Sequence, residues 1–113
     1  MSITVDYASP AGTSGLTVYF SVERASDGFY FDTSDSVFKI KASITPGDEQ
    51  ISLPEDADED GRYLATLATV NPLYWTDGNY SCIIRNDAGD VLLAIDKKYL
   101  KDQQECSFRL NSI

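Results

Sequence analysis

The sequence predicts an all-β protein: an Ig-like antiparallel β-sandwich of 7–8 short strands, formed as one domain over residues 1–113. Three observations carry this. Apolar and polar residues alternate at period two in one segment after another, which is the pattern of half-buried strands. Clusters of Gly, Asn, Asp, Ser and Pro separate those segments at short intervals. Seven Tyr, five Phe and one Trp stand against a single Met, and aromatic rings pack well on pleated faces.

The elements follow in order. Leu16, Val18, Phe20 and Val22 share one face of a strand, with Thr17, Ser21 and Glu23 on the other. Ser26-Asp27-Gly28 turns the chain, and Phe29-Tyr30-Phe31 returns as the second arm of a hairpin. After a polar break, Phe38, Ile40, Ala42 and Ile44 alternate with Lys39, Lys41 and Ser43, and Pro46-Gly47-Asp48 ends that strand. Ile51 and Leu53 give a brief strand before Pro54. Tyr63, Ala65 and Leu67 form the inward face of the next, which Asn71-Pro72 closes. Tyr80, Cys82 and Ile84 pair with Val91, Leu93 and Ile95 across the turn at 86–90. Residues 96–105 read either as a continuation of that strand through Tyr99 or as a short helical turn. Cys106, Phe108 and Leu110 form a terminal strand. Shared parity places Phe20, Phe38, Ile40, Leu67, Tyr80, Ile84 and Leu93 in one core.

Asp60-Gly61-Arg62-Tyr63 has an echo in Asp77-Gly78-Asn79-Tyr80. Each is a glycine turn followed by an inward tyrosine that opens a strand. A third copy is missing, so this is no solenoid repeat. Tyr80, two residues before Cys82, is loosely similar to the tyrosine corner of Ig domains, but no cysteine lies upstream and Trp75 precedes Tyr80 closely instead of sitting on a separate early strand.

Charge and composition narrow the function. Eighteen acidic residues against nine basic ones leave a net charge of -9, which opposes binding to nucleic acid or to an anionic membrane. The N-terminus has no basic and apolar leader, so no signal peptide is expected and synthesis is placed in a host cytoplasm. No run of apolar residues is long enough to span a bilayer. The sequence has no histidine, which removes the commonest general base and metal ligand and every Ser-His or Cys-His arrangement. No enzyme activity and no cofactor are expected. Cys82 and Cys106 both read as inward-facing, either as small buried hydrophobes or as a disulfide pair.

Two features could still carry binding. Asp56, Asp58 and Asp60 precede Gly61 in an Asp-x-Asp-x-Asp-Gly run, a pattern that can wrap Ca²⁺. The position where an EF-hand loop needs a bidentate Glu is Leu67, so the alternatives are a looser calcium loop or a solvated acidic turn. Tyr74-Trp75 reads as an exposed interface anchor, as a sugar-binding platform or as a lid on one end of the sandwich.

The order Val22-Glu23-Arg24, Ser26-Asp27-Gly28-Phe29-Tyr30-Phe31-Asp32, Val37-Phe38-Lys39, Asp60-Gly61-Arg62-Tyr63 and Trp75-Thr76-Asp77-Gly78-Asn79-Tyr80 resembles small β-sandwich proteins encoded among the structural genes of tailed bacteriophages and prophages. The resemblance covers about residues 16 to 99. It implies a virion component: a capsid decoration (cement) protein, a neck or head fibre, or a baseplate or tail-fibre module. It implies protein partners in the capsid or tail, self-association with a trimer favoured, and no catalytic residues. A carbohydrate-binding or host-surface adhesion module is the alternative.

Overall fold

The computed structural model describes residues 1–106, and the expected strand at Phe108 and Leu110 lies outside them. Among the described residues there are nine strands: β1 (Ser2–Ala8), β2 (Val18–Arg24), β3 (Tyr30–Asp32), β4 (Val37–Lys39), β5 (Ile51–Ser52), β6 (Arg62–Ala68), β7 (Gly78–Asn86), β8 (Val91–Lys101) and β9 (Gln104–Glu105). All pair antiparallel. One sheet has the order β4-β3-β2-β7-β8-β9, with β5 beside the start of β2; the other is the ribbon β1-β6. The sandwich is therefore unequal, seven strands against two, and its principal extents are 38 × 37 × 20 Å.

The ribbon is built by alternation. Ile3 and Val5 on β1 are fully buried, and Tyr63 opens β6 inside the core. They meet Phe20, Val22, Cys82 and Ile84 from the inner face of the large sheet. At one end, Trp75 packs on Phe38, Phe31 and Tyr80, with ring centroids at 4.8, 5.2 and 5.4 Å. Arg24 closes this cluster. Its guanidinium lies 4.7 Å from the Phe38 ring centroid, donates to both Asp27 carboxylate oxygens, and reaches the Tyr74 carbonyl at 2.7 Å. A planar, delocalised cation suits all three roles.

Several expectations are corrected. β4 stops at Lys39, and residues 41–43 form a 3₁₀ turn, so Ile40 is 58% exposed and only Ile44 is buried. An edge strand with no neighbour beyond it has no ladder to extend, and the Ser43 and Ile44 amides turn back to Ile40 and Lys41. The β7–β8 hairpin carries a bulge at Ile84/Arg85. Leu93 is the extra residue there, and a one-residue slip breaks the shared parity of Val91, Leu93 and Ile95: Ile95 faces outward beside Ile83, Val91 is exposed at the hairpin end, and Leu93 is half-buried against the core. Leu67 is also only half-buried. Residues 96–101 continue β8 as strand. Cys106 is half-exposed, unlike Cys82, and both are free thiols. Phe20, Phe38, Tyr80 and Ile84 are core residues as expected.

Candidate functional site

The acidic run does not gather into a cation shell. The Asp56 carboxylate accepts the Asp58 amide at 3.0 Å, while Asp58 and Asp60 point to solvent. Among the described residues no group of three His, Cys, Asp or Glu side chains is placed to hold a metal ion. The acid that matters here is Glu55. Its carboxylate accepts the Gly61 amide at 2.7 Å, the Gly15 amide at 3.0 Å and the Ser14 hydroxyl at 3.1 Å. These donors hold it below the ordinary carboxylate range. Its role is to tie the loop before β2 to the loop before β6, and its place at the start of an acidic run hid it in the sequence.

The Tyr74-Trp75 pair is not an exposed anchor. Trp75 is buried in the aromatic cluster, and Tyr74 is half-buried with its carbonyl bound by Arg24. The pair is a lid, so a sugar platform on the Trp75 face is excluded. The turn that builds the lid exposes other residues. Tyr74 and Trp75 amides both return to the Asn71 carbonyl, and the Leu73 amide bonds the Asn71 side chain. That geometry leaves Leu73 77% and Val70 63% exposed. Two large apolar side chains on either side of an Asn-Pro break were the signal the sequence offered.

Val70 borders an apolar-lined cleft of about 470 Å³ at the open side of the sandwich. Phe31, Ser36, Ile51, Leu67, Val70 and Trp75 line it. The cleft runs beside β6, which has β1 on one side only. The other side of β6 is covered at its start, where Leu64 donates to the Pro54 carbonyl at 3.0 Å and Arg62 accepts from the Asp56 amide at 2.7 Å. Further along, at Thr66 and Ala68, no strand lies beside it among the described residues. An edge strand with unpaired backbone groups beside an apolar cleft is suited to accept an extended segment.

No protein family, no curated protein and no solved structure matches this chain. Among the described residues, the fold and the site define an antiparallel β-sandwich in which part of the β6 edge has no strand beside it, next to an apolar cleft bordered by the exposed Val70.

Proposed function

We propose that the protein is a non-enzymatic interaction module, a structural component of a tailed-phage virion that assembles with copies of itself and with capsid or tail proteins. The observation that carries the reading is the open side at β6, where Val70 stands exposed at the cleft and Leu73 stands exposed in the turn that follows it. Main-chain pairing along an edge gives affinity, and pockets for alternate side chains give selectivity. Self-association would close by cyclic symmetry, and a trimer suits a fibre or a capsid three-fold position. The phage assignment rests on the resemblance over residues 16 to 99. The two glycine-tyrosine segments of that resemblance both hold the sandwich together here, through Tyr63 and Tyr80.

Mass spectrometry of virions purified from cells carrying this gene tests the reading, together with light scattering of the pure protein. The expected result is the chain in the particle at a fixed copy number and a closed oligomer in solution. A strict monomer that is absent from virions would overturn it.

A further inference from the structure

The outer face of the seven-stranded sheet has a second recess of about 150 Å³, lined by Tyr30 and Gln50 where the cleft at β6 is lined by their neighbours Phe31 and Ile51. A cavity of that size holds one six-membered ring. Cross-strand register builds it. Tyr19 on β2 lies opposite Arg85 on β7, and Ser21 lies opposite Ile83, which makes the floor. Tyr30 on β3 and Lys41 form one wall, with Lys41 Nζ 5.7 Å from the Tyr30 ring centroid. Glu49 and Gln50 form another. A neighbouring recess of about 280 Å³ shares Tyr19 and Gln50 with it and continues past Thr17, Ser52 and Asp87.

The charge pattern of the recess sets it apart. Acidic residues outnumber basic ones two to one in this chain, 18 to 9, so a cation finds a carboxylate easily. Arg24, Lys39, Arg62, Lys98 and Lys101 all do so. Among the described residues Arg85, Lys41 and Lys97 have no carboxylate within ion-pair distance; Lys97 donates to the Ser81 hydroxyl, whereas Arg85 and Lys41 both line this one recess. Arg85 spends a single donor on the Asp90 carbonyl at 3.3 Å. The Asp90 carboxylate accepts the Tyr19 hydroxyl through one oxygen and, like Glu49, keeps its charge and its second oxygen at the recess. Glu49 keeps one oxygen on the Gly47 amide and retains acceptor capacity.

Two cations beside acceptor carboxylates select against a densely charged anion, which Glu49 and the net charge of -9 would repel. They suit a molecule with one anionic group and several hydroxyl donors. We propose that this recess binds an acidic sugar, with its carboxylate on Arg85 and Lys41 and its hydroxyls on Glu49, Gln50, Ser21 and Tyr30. Arg and Lys donate charge-assisted bonds to a carboxylate. The adjoining recess takes the next sugar of a chain. In an assembled particle many copies would present the site, and multivalency would raise a weak single-site affinity. The proposal does not depend on how the protein assembles.

The test is chemical-shift mapping of the labelled full chain, titrated with a galacturonic acid trisaccharide, with the neutral galactose trisaccharide and with inorganic phosphate. The acidic trisaccharide is expected to shift the amides of Tyr19, Ser21, Tyr30, Ile83 and Arg85 and to saturate in the millimolar range. Arg85→Gln and Lys41→Gln, each with an unchanged melting temperature, should weaken it at least about tenfold. Should Arg85→Gln fail to fold, Lys41→Gln on its exposed turn decides alone. The Val70→Asp/Leu73→Asp variant should keep the shifts, so failure of assembly and failure of sugar binding are separately visible. No shift on the outer face, equal binding by the Lys41→Gln variant, or equal binding of the neutral trisaccharide would overturn the proposal. Saturation by phosphate alone would overturn the sugar assignment.

Discussion

The segments Asp60-Gly61-Arg62-Tyr63 and Asp77-Gly78-Asn79-Tyr80 look alike in sequence and do different work. Both tyrosines are buried, and both hydroxyls donate to a backbone carbonyl. Tyr80 reaches Thr76 at 2.6 Å, four residues upstream, which is the local tie of a tyrosine corner. Tyr63 reaches Thr13 at 3.0 Å and also accepts the Leu16 amide at 3.0 Å, a tie across 50 and 47 residues. The glycines differ too. A Cβ on Gly61 would lie 2.6 Å from the Gly12 carbonyl carbon, whereas one on Gly78 would meet nothing within 4 Å. The aspartates differ in the opposite sense. Asp60 is exposed, while Asp77 accepts the Asp102 amide at 2.8 Å and pairs with Lys101. One signature thus builds a local corner in the large sheet and a long-range staple between the ribbon and the loop before β2.

The glycines separate the two most sharply. Gly61→Ala meets both a steric clash and a left-handed φ of +82°, and it should cost about 3–5 kcal/mol in denaturant unfolding. Gly78→Ala, in open space at φ +137°, meets only backbone strain, about 1–3 kcal/mol. Equal losses would break the distinction. The hydroxyls come next. Tyr63→Phe removes two hydrogen bonds and should cost about 2–3 kcal/mol, against about 1–1.5 kcal/mol for Tyr80→Phe, which removes one. Hydrogen exchange sharpens this: Tyr63→Phe should deprotect the Leu16 amide, and Tyr80→Phe should not.

The smallest difference lies with the aspartates and depends on pH. The Asp102 amide and Lys101 hold the Asp77 carboxyl below its ordinary 3.8. A depressed folded value contributes stability above 3.8 that is lost as pH falls through the folded value. Asp77→Asn should therefore lower the melting temperature at neutral pH, and the gap to the wild type should close in acid. Asp60→Asn, at an exposed side chain, should lower the neutral-pH melting temperature less than Asp77→Asn does. Asp32, pushed down to about 2 by Ser34 and Lys39, adds to acid unfolding between about pH 4 and pH 2 with the same sign.

Much of this fold was legible because alternation and turn chemistry are local. The inward faces of β2 and β7 follow from period two alone, as do the turns at Gly28 and Asn71-Pro72. β1 carries the same signal, since Ile3 and Val5 alternate with Thr4 and Asp6. The rest depends on distant partners. The bulge that breaks the parity of Val91, Leu93 and Ile95 arises in the pairing of β7 with β8. Trp75 is buried because Arg24 reaches the Tyr74 carbonyl from 50 residues away. The outer recess joins Tyr19, Tyr30, Lys41 and Arg85 from four separate segments, and no spacing in the sequence links them. The acidic run left two readings open because carboxylates at alternate positions occur in a solvated turn as well as in a calcium loop.

The central claim is that the open side of the sandwich at β6, with Val70 and Leu73, is an assembly surface in a phage particle. Co-sedimentation of the pure protein with virions that lack it tests this most directly, comparing wild type with Val70→Asp/Leu73→Asp. The account predicts saturable binding by the wild type and loss of binding by the variant, with both chains melting alike because the two side chains are exposed. Wild-type protein that stays in the supernatant, or a variant that binds as well as the wild type, would contradict it.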